Sequence, residues 1–548
     1  MQKDSNDKVK KILFILSFSL IFLRILSYAW CCDDAFHAYT MASNLIAGNG
    51  FTPTPGTRVN VSTCPLWTLI VASGMLFWNN PYAVGMIFNL LFSGTALFML
   101  LKLIYRKENW RVVLTAATVM LCLSKTYLSF TTSGLENALT IMLCSFYLYV
   151  FFGNEYYSGK ELFKIAFLEG LIAFTRMDCA LIFSFTSVYA FLFRYRKDEN
   201  DKGGFSLKKL CKVVPVAISG LSPFIFWELF SLFYFGSLVP NTALAKKLNT
   251  GFPTHEYLIR GFWYFVFSNA LDFIILPVFF TAVVTVCGKA WKKRKELTHS
   301  HVKEVFLAAG LTLYFFYVFD IGGDFMLGRH FFVLFWISLF VLTANFVFNS
   351  WKYLLIFLPT VLFAAFAALI LSPIHADSGN SLVSAAYNSV SREVKNHISH
   401  YGYMGDTQEF TYPYTGLKNV LQSYFETGEA RSIQACPCMG INWFFGNKAQ
   451  YEWKFYDPLL SRLPGEHSKY WGTGLVTRKI PSGYFETLLL NENHIQNKNL
   501  AFYYSKLKFI VSGDLLDSER LKETLLFNSG VYDAYLRKYI AEEGNNQQ

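Results

Sequence analysis

Long apolar runs recur along the first 371 positions of this 548-residue chain, separated by short polar or basic loops. A helix that crosses a bilayer core needs about 20 predominantly apolar residues. By that measure the pattern predicts about 11 transmembrane helices, near 11–30, 81–105, 111–129, 135–153, 161–175, 178–194, 212–234, 262–288, 303–320, 328–349 and 351–371. The run at 65–78 is apolar but short, which fits an interfacial or re-entrant helix better than a span. From about position 377 the pattern changes. The tail is polar, rich in Tyr, Asn, Lys and Gly, and holds turn signals such as L-P-G at 463–465 and P-S-G at 481–483. It predicts a small domain of mixed α/β type, with a strand at 508–512, a helix at 515–527 and disorder in the final E-E-G-N-N-Q-Q.

Composition supports the membrane reading. Hydrophobic residues make up 53% of the chain and charged residues 16%, against about a quarter charged in soluble domains. The net charge of +11 sits largely in short loops, so it reports topology and excludes a nucleic-acid partner. With the amino terminus inside, inner loops collect Arg106, Lys107, Lys160, Lys164 and the clusters near 194–212 and 289–303, while outer loops hold Arg58, Arg176, Lys246, Lys247, Arg260 and Arg329. The first run, with a basic flank and no convincing cleavage site, reads as an uncleaved helix.

This topology gathers chemistry on one side. Asp33, Asp34, Glu136, Arg176, Asp178, Asn241, Lys246, Asp320, Asp324, Arg329 and His330 all fall at the outer ends of apolar runs. Charges at membrane level are costly and mark functional sites by default. Carboxylates beside cations suit an anionic, phosphorylated ligand next to an acid or base. A transporter would instead place its groups at the midplane of repeated, broken helices, and no internal repeat is visible. No cysteine spacing reads as a zinc site. Cys436 and Cys438 lie too close for an unstrained direct bridge.

Several short stretches resemble one family, in its order: D-D-A-F at 33–36, N-L-I-A-G-N-G-F at 44–51, P-G-T-R-V at 55–59, T-C-P-L-W at 63–67, S-G-L-E at 133–136, R-M-D at 176–178, P-N-T at 240–242 with A-K at 245–246, G-G-D-F-M at 322–326 with Arg329, and Y-D-P-L-L-S-R-L-P at 456–464. They are similar to GT-C glycosyltransferases and, more narrowly, to the terminal β-(1→2)-arabinofuranosyltransferase family, integral membrane enzymes that take sugar from a polyprenyl-phosphate donor. Departures occur at Cys64, Met177 and Cys179, and the chain is shorter than arabinan-synthesising members, which bears on the sugar more than on the reaction class.

The resemblance implies a GT-C transmembrane catalytic domain at 1–372, with its first outer loop at 31–80, and an extracytoplasmic acceptor-binding domain at 373–548. It implies Asp33 as the group that takes the acceptor proton, with Asp34 orienting it, and Lys246, Arg329 and Arg176 as partners of the donor phosphate. Glu136, Asp178, Asn241, Asp320, Asp324 and His37 would contact substrate. Each has a plainer reading: Asp34 as a helix cap, Lys246 and Arg329 as interface anchors, Arg176 with Asp178 as a structural ion pair, His37 as a structural hydrogen-bonder. Paired acids with Asp320 or Asp324 suit a divalent cation, and the basic residues suffice without one; both stay open.

The expected protein is thus a polytopic enzyme of the bacterial plasma membrane, amino terminus cytoplasmic and tail periplasmic, moving arabinofuranose from a polyprenyl-phosphate donor to an envelope glycan or glycoconjugate. The rivals are a GT-C transferase that moves a hexose or aminoarabinose to lipid A or protein, a lipid or polysaccharide transporter, and an envelope assembly protein.

Overall fold

The computed structural model describes residues 2–29, 31–32, 34–53, 55–196, 207–248, 253–324, 326–344, 457–467, 476–477 and 480–545. Asp33, the span expected at 351–371, Cys436, Cys438 and the tail tryptophans Trp443, Trp453 and Trp471 lie outside them. The described helices are α1 (Gln2–Ser27), α2 (Ala35–Ile46), α3 (Pro65–Met75), α4 (Pro81–Tyr105), α5 (Trp110–Leu123), α6 (Lys125–Thr131), α7 (Asn137–Gly153), α8 (Gly159–Thr175), α9 (Ala180–Phe193), α10 (Leu207–Gly220), α11 (Ser222–Phe235), the single turn α12 (Asn241–Ala243), α13 (Thr254–Leu271), α14 (Ile275–Lys292), α15 (His299–Asp320) and α16 (Phe331–Ala344). In the tail follow α17 (Tyr484–Leu490), α18 (Lys498–Ser512), α19 (Ser518–Asn528) and α20 (Asp533–Asn545).

Among the described residues α4, α14 and α15 are long and apolar enough to cross a membrane, and two broken pairs bring the number to five. Other expected spans coincide with shorter apolar helices such as α7 and α16. The expected span at 111–129 is broken, α5 meeting α6 at 70°. Asp272 explains how the break is tolerated. Its buried carboxylate accepts from Ser124 Oγ at 2.7 Å and from the Thr126 and Ile274 amides at 2.8 and 3.1 Å. Freed backbone donors inside apolar surroundings must find such partners.

The chain forms two compact units. The first comprises Met1–Cys32, Tyr82–Phe224 and His255–Thr407. Within it α9 packs on α15 so closely that a Cβ on Gly310 would collide with the Ile182 carbonyl. Small residues let membrane helices approach in this way. Tyr127 of α6 stacks against Phe332 and Trp336 of α16, and Trp336 donates its indole N–H to Ser145 Oγ at 2.9 Å.

The second unit comprises Asp33–Pro81, Ile225–Thr254 and Gln408–Gln548, so the tail clusters with the first-loop segment and with most of α11 and the stretch after it. Phe51, Trp227 and Phe235 form an aromatic knot. The tail core packs Leu459, Leu460, Leu463, Tyr484, Leu500 and Leu507. The fully buried Arg520 donates to the carbonyls of Phe233, Tyr234 and Ile510 at 2.8 to 3.0 Å, capping the end of α11.

Two tail expectations need correction. The segment 508–512 is helical, the end of α18, because Leu500, Tyr503, Tyr504, Leu507 and Val511 recur at helical spacing and enter the core. Helix α20 runs to Asn545 where disorder was expected, with Glu542 accepting from Asn497 and Asn499 at 2.7 and 3.1 Å. The described part of the tail is helical with one antiparallel pair of two-residue strands, Glu466–His467 and Val476–Thr477; much of the mixed α/β domain expected at 373–548 lies outside the described residues.

Candidate functional site

Five of the expected site residues converge in the first unit. Arg176, in the turn between α8 and α9, forks onto Asp178, with Nε to Oδ1 at 3.1 Å and Nη2 to Oδ2 at 2.5 Å. Its Nη1 lies 3.7 Å from Glu136 Oε1, at the start of α7. Arg329 reaches the same Glu136 oxygen at 3.5 Å and Asp324 Oδ2 at 3.2 Å. All five side chains are largely buried, Glu136 at 2% exposure being the extreme. Glu136 Oε2 has no hydrogen-bond partner among the described residues.

The backbone around these groups is tightly constrained. Gly322 and Gly323 have φ of +79° and +71°, and a Cβ on Gly323 would strike the Tyr264 ring. Only glycine takes that turn without strain beside an aromatic ring. Tyr264 of α13 then cinches the loop: its hydroxyl donates to the Met326 carbonyl at 3.2 Å and accepts from the His330 amide at 3.1 Å. Gly328 donates its amide to Ser268 Oγ at 3.0 Å. On the other side Cys32 donates its amide to the Ser133 carbonyl at 2.8 Å, fixing the turn that leads into Glu136.

His330 and Tyr314 complete the cluster. Arg176 Nη2 stands 2.9 Å from His330 Nδ1, and since guanidinium only donates, Nδ1 accepts and the ring proton is on Nε2, 3.8 Å from Asp324. The Tyr314 hydroxyl donates to Asp178 Oδ2 at 3.2 Å. Sequence reading gave His330 little weight and missed Tyr264 and Tyr314, which are single tyrosines inside apolar helices with no local motif to mark them.

Asp34 stands immediately before α2, as a cap would, but makes no side-chain capping hydrogen bond. His37 is half-buried on α2, and Asp320 is the exposed last residue of α15. In the second unit, Lys246 is half-buried in a single wide π-helical turn, Leu244–Leu248. Asn241 is buried and faces protein: its amide donates to the Asn60 carbonyl at 2.6 Å, and its side-chain oxygen accepts from Ser461 Oγ at 2.7 Å and Arg462 Nη1 at 3.2 Å. No group of three or more His, Cys, Asp or Glu suited to holding a metal occurs among the described residues.

Apolar helices enclosing buried, mutually paired charges fit a helical membrane protein. Part of the chain is similar to a curated protein: terminal beta-(1->2)-arabinofuranosyltransferase of Mycobacterium tuberculosis (strain ATCC 25618 / H37Rv) is 26% identical over 241 residues, 40% of this chain and 35% of that protein. The chain thus spans about a third of that relative's length. The match is distant and partial, and the protein it finds is a glycosyltransferase. No protein-family model matches the chain, and no solved structure does.

Proposed function

We propose that the protein transfers a monosaccharide, arabinofuranose by its likeness to the mycobacterial enzyme, from a polyprenyl-phosphate donor to an envelope glycan or glycoconjugate on the outer side of a bacterial plasma membrane. The observation that supports this best is the buried cluster of Glu136, Arg176, Asp178, Asp324 and Arg329. Burying five ionised groups costs several kcal/mol per ion before pairing, an expense that structure alone does not require.

In this reading the acceptor oxygen attacks the anomeric carbon, the bond from that carbon to the phosphate oxygen breaks, the hydroxyl proton passes to Asp33, and polyprenyl phosphate leaves with the new negative charge. Lys246 meets that charge as a point cation. Arg329 holds its carboxylates through single contacts at 3.2 and 3.5 Å and exchanges one for phosphate. Arg176, forked onto Asp178, stays in place as the frame.

The test is native mass spectrometry of lipid that co-purifies with Asp33→Asn, which should retain unreacted donor. A polyprenyl phosphate carrying a pentose is the expected species. A hexose or amino-sugar donor would replace the sugar and keep the class. Phospholipid alone, with no polyprenyl phosphate released by the wild-type protein, would overturn the enzyme reading in favour of a transporter.

A further inference from the structure

Asn241 was expected to touch substrate, yet three of the four hydrogen-bonding positions of its side-chain amide are taken by the tail. Ser461 and Arg462 donate to its oxygen, and its nitrogen faces the Asp457 carbonyl at 3.4 Å. The tail turn that grips it is itself rigid. Asp457 accepts from the Leu459 and Leu460 amides at 2.8 and 2.9 Å and from the Tyr484 hydroxyl at 2.6 Å. Leu459 and Leu460 are fully buried in the tail core.

The first-loop residue Asn60 accepts the Asn241 amide and donates its side-chain nitrogen to Ser231 Oγ at 2.8 Å. Asn241 therefore joins three segments that are distant in sequence. The next turn of chain is the π-helical Leu244–Leu248, which carries Lys246 and packs against Leu460–Arg462. A single π turn is rare and is found frequently at functional sites.

We infer that Asn241 is a positioning residue: held by Asn60 and by the Asp457–Arg462 turn, it sets the turn that presents Lys246, so the tail governs donor binding through Lys246. The inference rests on the reading of Lys246 as a phosphate partner. It gives the tail a task within the donor site in addition to any acceptor role.

The experiment uses the full-length protein in detergent with farnesyl phosphate as the probe, comparing wild type with Lys246→Ala, Asn241→Ala and the milder Ser461→Ala, which removes a single bond to the Asn241 oxygen. Two readouts are taken, amide hydrogen exchange across 241–248 and the Kd for farnesyl phosphate. Faster exchange by at least tenfold in that segment is expected for Asn241→Ala and Ser461→Ala, with the tail core still protected. Their Kd should rise at least fivefold, and adding Ser461→Ala to Lys246→Ala should weaken binding no further. Unchanged exchange in both variants overturns the inference, as does an unchanged Kd when Lys246→Ala abolishes binding. If Lys246→Ala binds farnesyl phosphate as wild type does, the phosphate reading itself fails and the exchange data alone decide whether Asn241 sets the turn.

Discussion

The hydroxyl of Tyr484 lies 2.6 Å from both oxygens of the Asp457 carboxylate, and neither side chain is exposed to solvent. A buried carboxylate is tolerable when donors surround it, and here two backbone amides and this hydroxyl do so. Replacing Tyr484 by Phe leaves the carboxylate short of a donor, an effect of about 1–3 kcal/mol. Chemical unfolding followed through the tail should show that loss. A variant as stable as wild type would mean that the contact is energetically idle.

The same core predicts a response to alkali. Burial, and then the neighbouring carboxylate, push Tyr484 well above its ordinary value; burial pushes Tyr503 and Tyr539 up to about 12. Unfolded tyrosine titrates near about 10. A raised folded value means that the stabilising proton is fully bound in both states below about pH 10, and that stability falls as pH rises from there toward about 12. Unfolding midpoints measured between pH 8 and 11.5 should therefore be flat and then decline. The decline should be shallower in Tyr484→Phe, and an equal slope in the two proteins counts against the assignment.

Much of the site was legible because it is written in short local motifs. Charged residues at the ends of apolar runs need company, so Glu136, Arg176, Asp178, Asp324 and Arg329 stood among eleven polar groups suspected together, and nothing in the sequence singled out these five. The glycine pair before Asp324 is a local signal of a sharp turn, and Gly322 and Gly323 make it with positive φ. Contacts between distant segments were not legible. Nothing near Asn241 indicates that Ser461 and Arg462 will occupy its side chain, and nothing near Lys508 tells a strand from the last turn of a helix until the buried positions upstream are counted. The break between α5 and α6 was hidden for the same reason, since the carboxylate that satisfies it, Asp272, comes some 150 residues later.

Close helix packing makes a separate prediction. Gly310→Ala places a methyl group against the Ile182 carbonyl, so α9 and α15 must move apart. Overpacking of this kind costs about 1–3 kcal/mol. Because α9 follows directly on Asp178 and α15 carries Tyr314, the shift also disturbs the hydrogen bond between them. Thermal stability and the proposed transfer activity should fall together. Retention of both would show that the helices have slack at this crossing.

The two arginines of the cluster should separate stability from chemistry. Arg176 is forked onto Asp178 and lies near Glu136, so Arg176→Ala strands buried carboxylates, and breaking such a pair from one side costs about 3–5 kcal/mol. Arg329→Lys keeps the charge and loses only the fork, so its unfolding free energy should fall by less than that of Arg176→Ala, which strands buried charge outright. If Arg329 exchanges carboxylate for phosphate during turnover, the same substitution should raise KM for the polyprenyl-phosphate donor at least tenfold, since a lysine cannot grip two phosphate oxygens in a plane. The decisive comparison is therefore KM and unfolding free energy on one pair of purified variants. An Arg329→Lys enzyme with normal donor KM would remove Arg329 from the phosphate site and leave it, like Arg176, as part of the frame that holds Glu136 and Asp324.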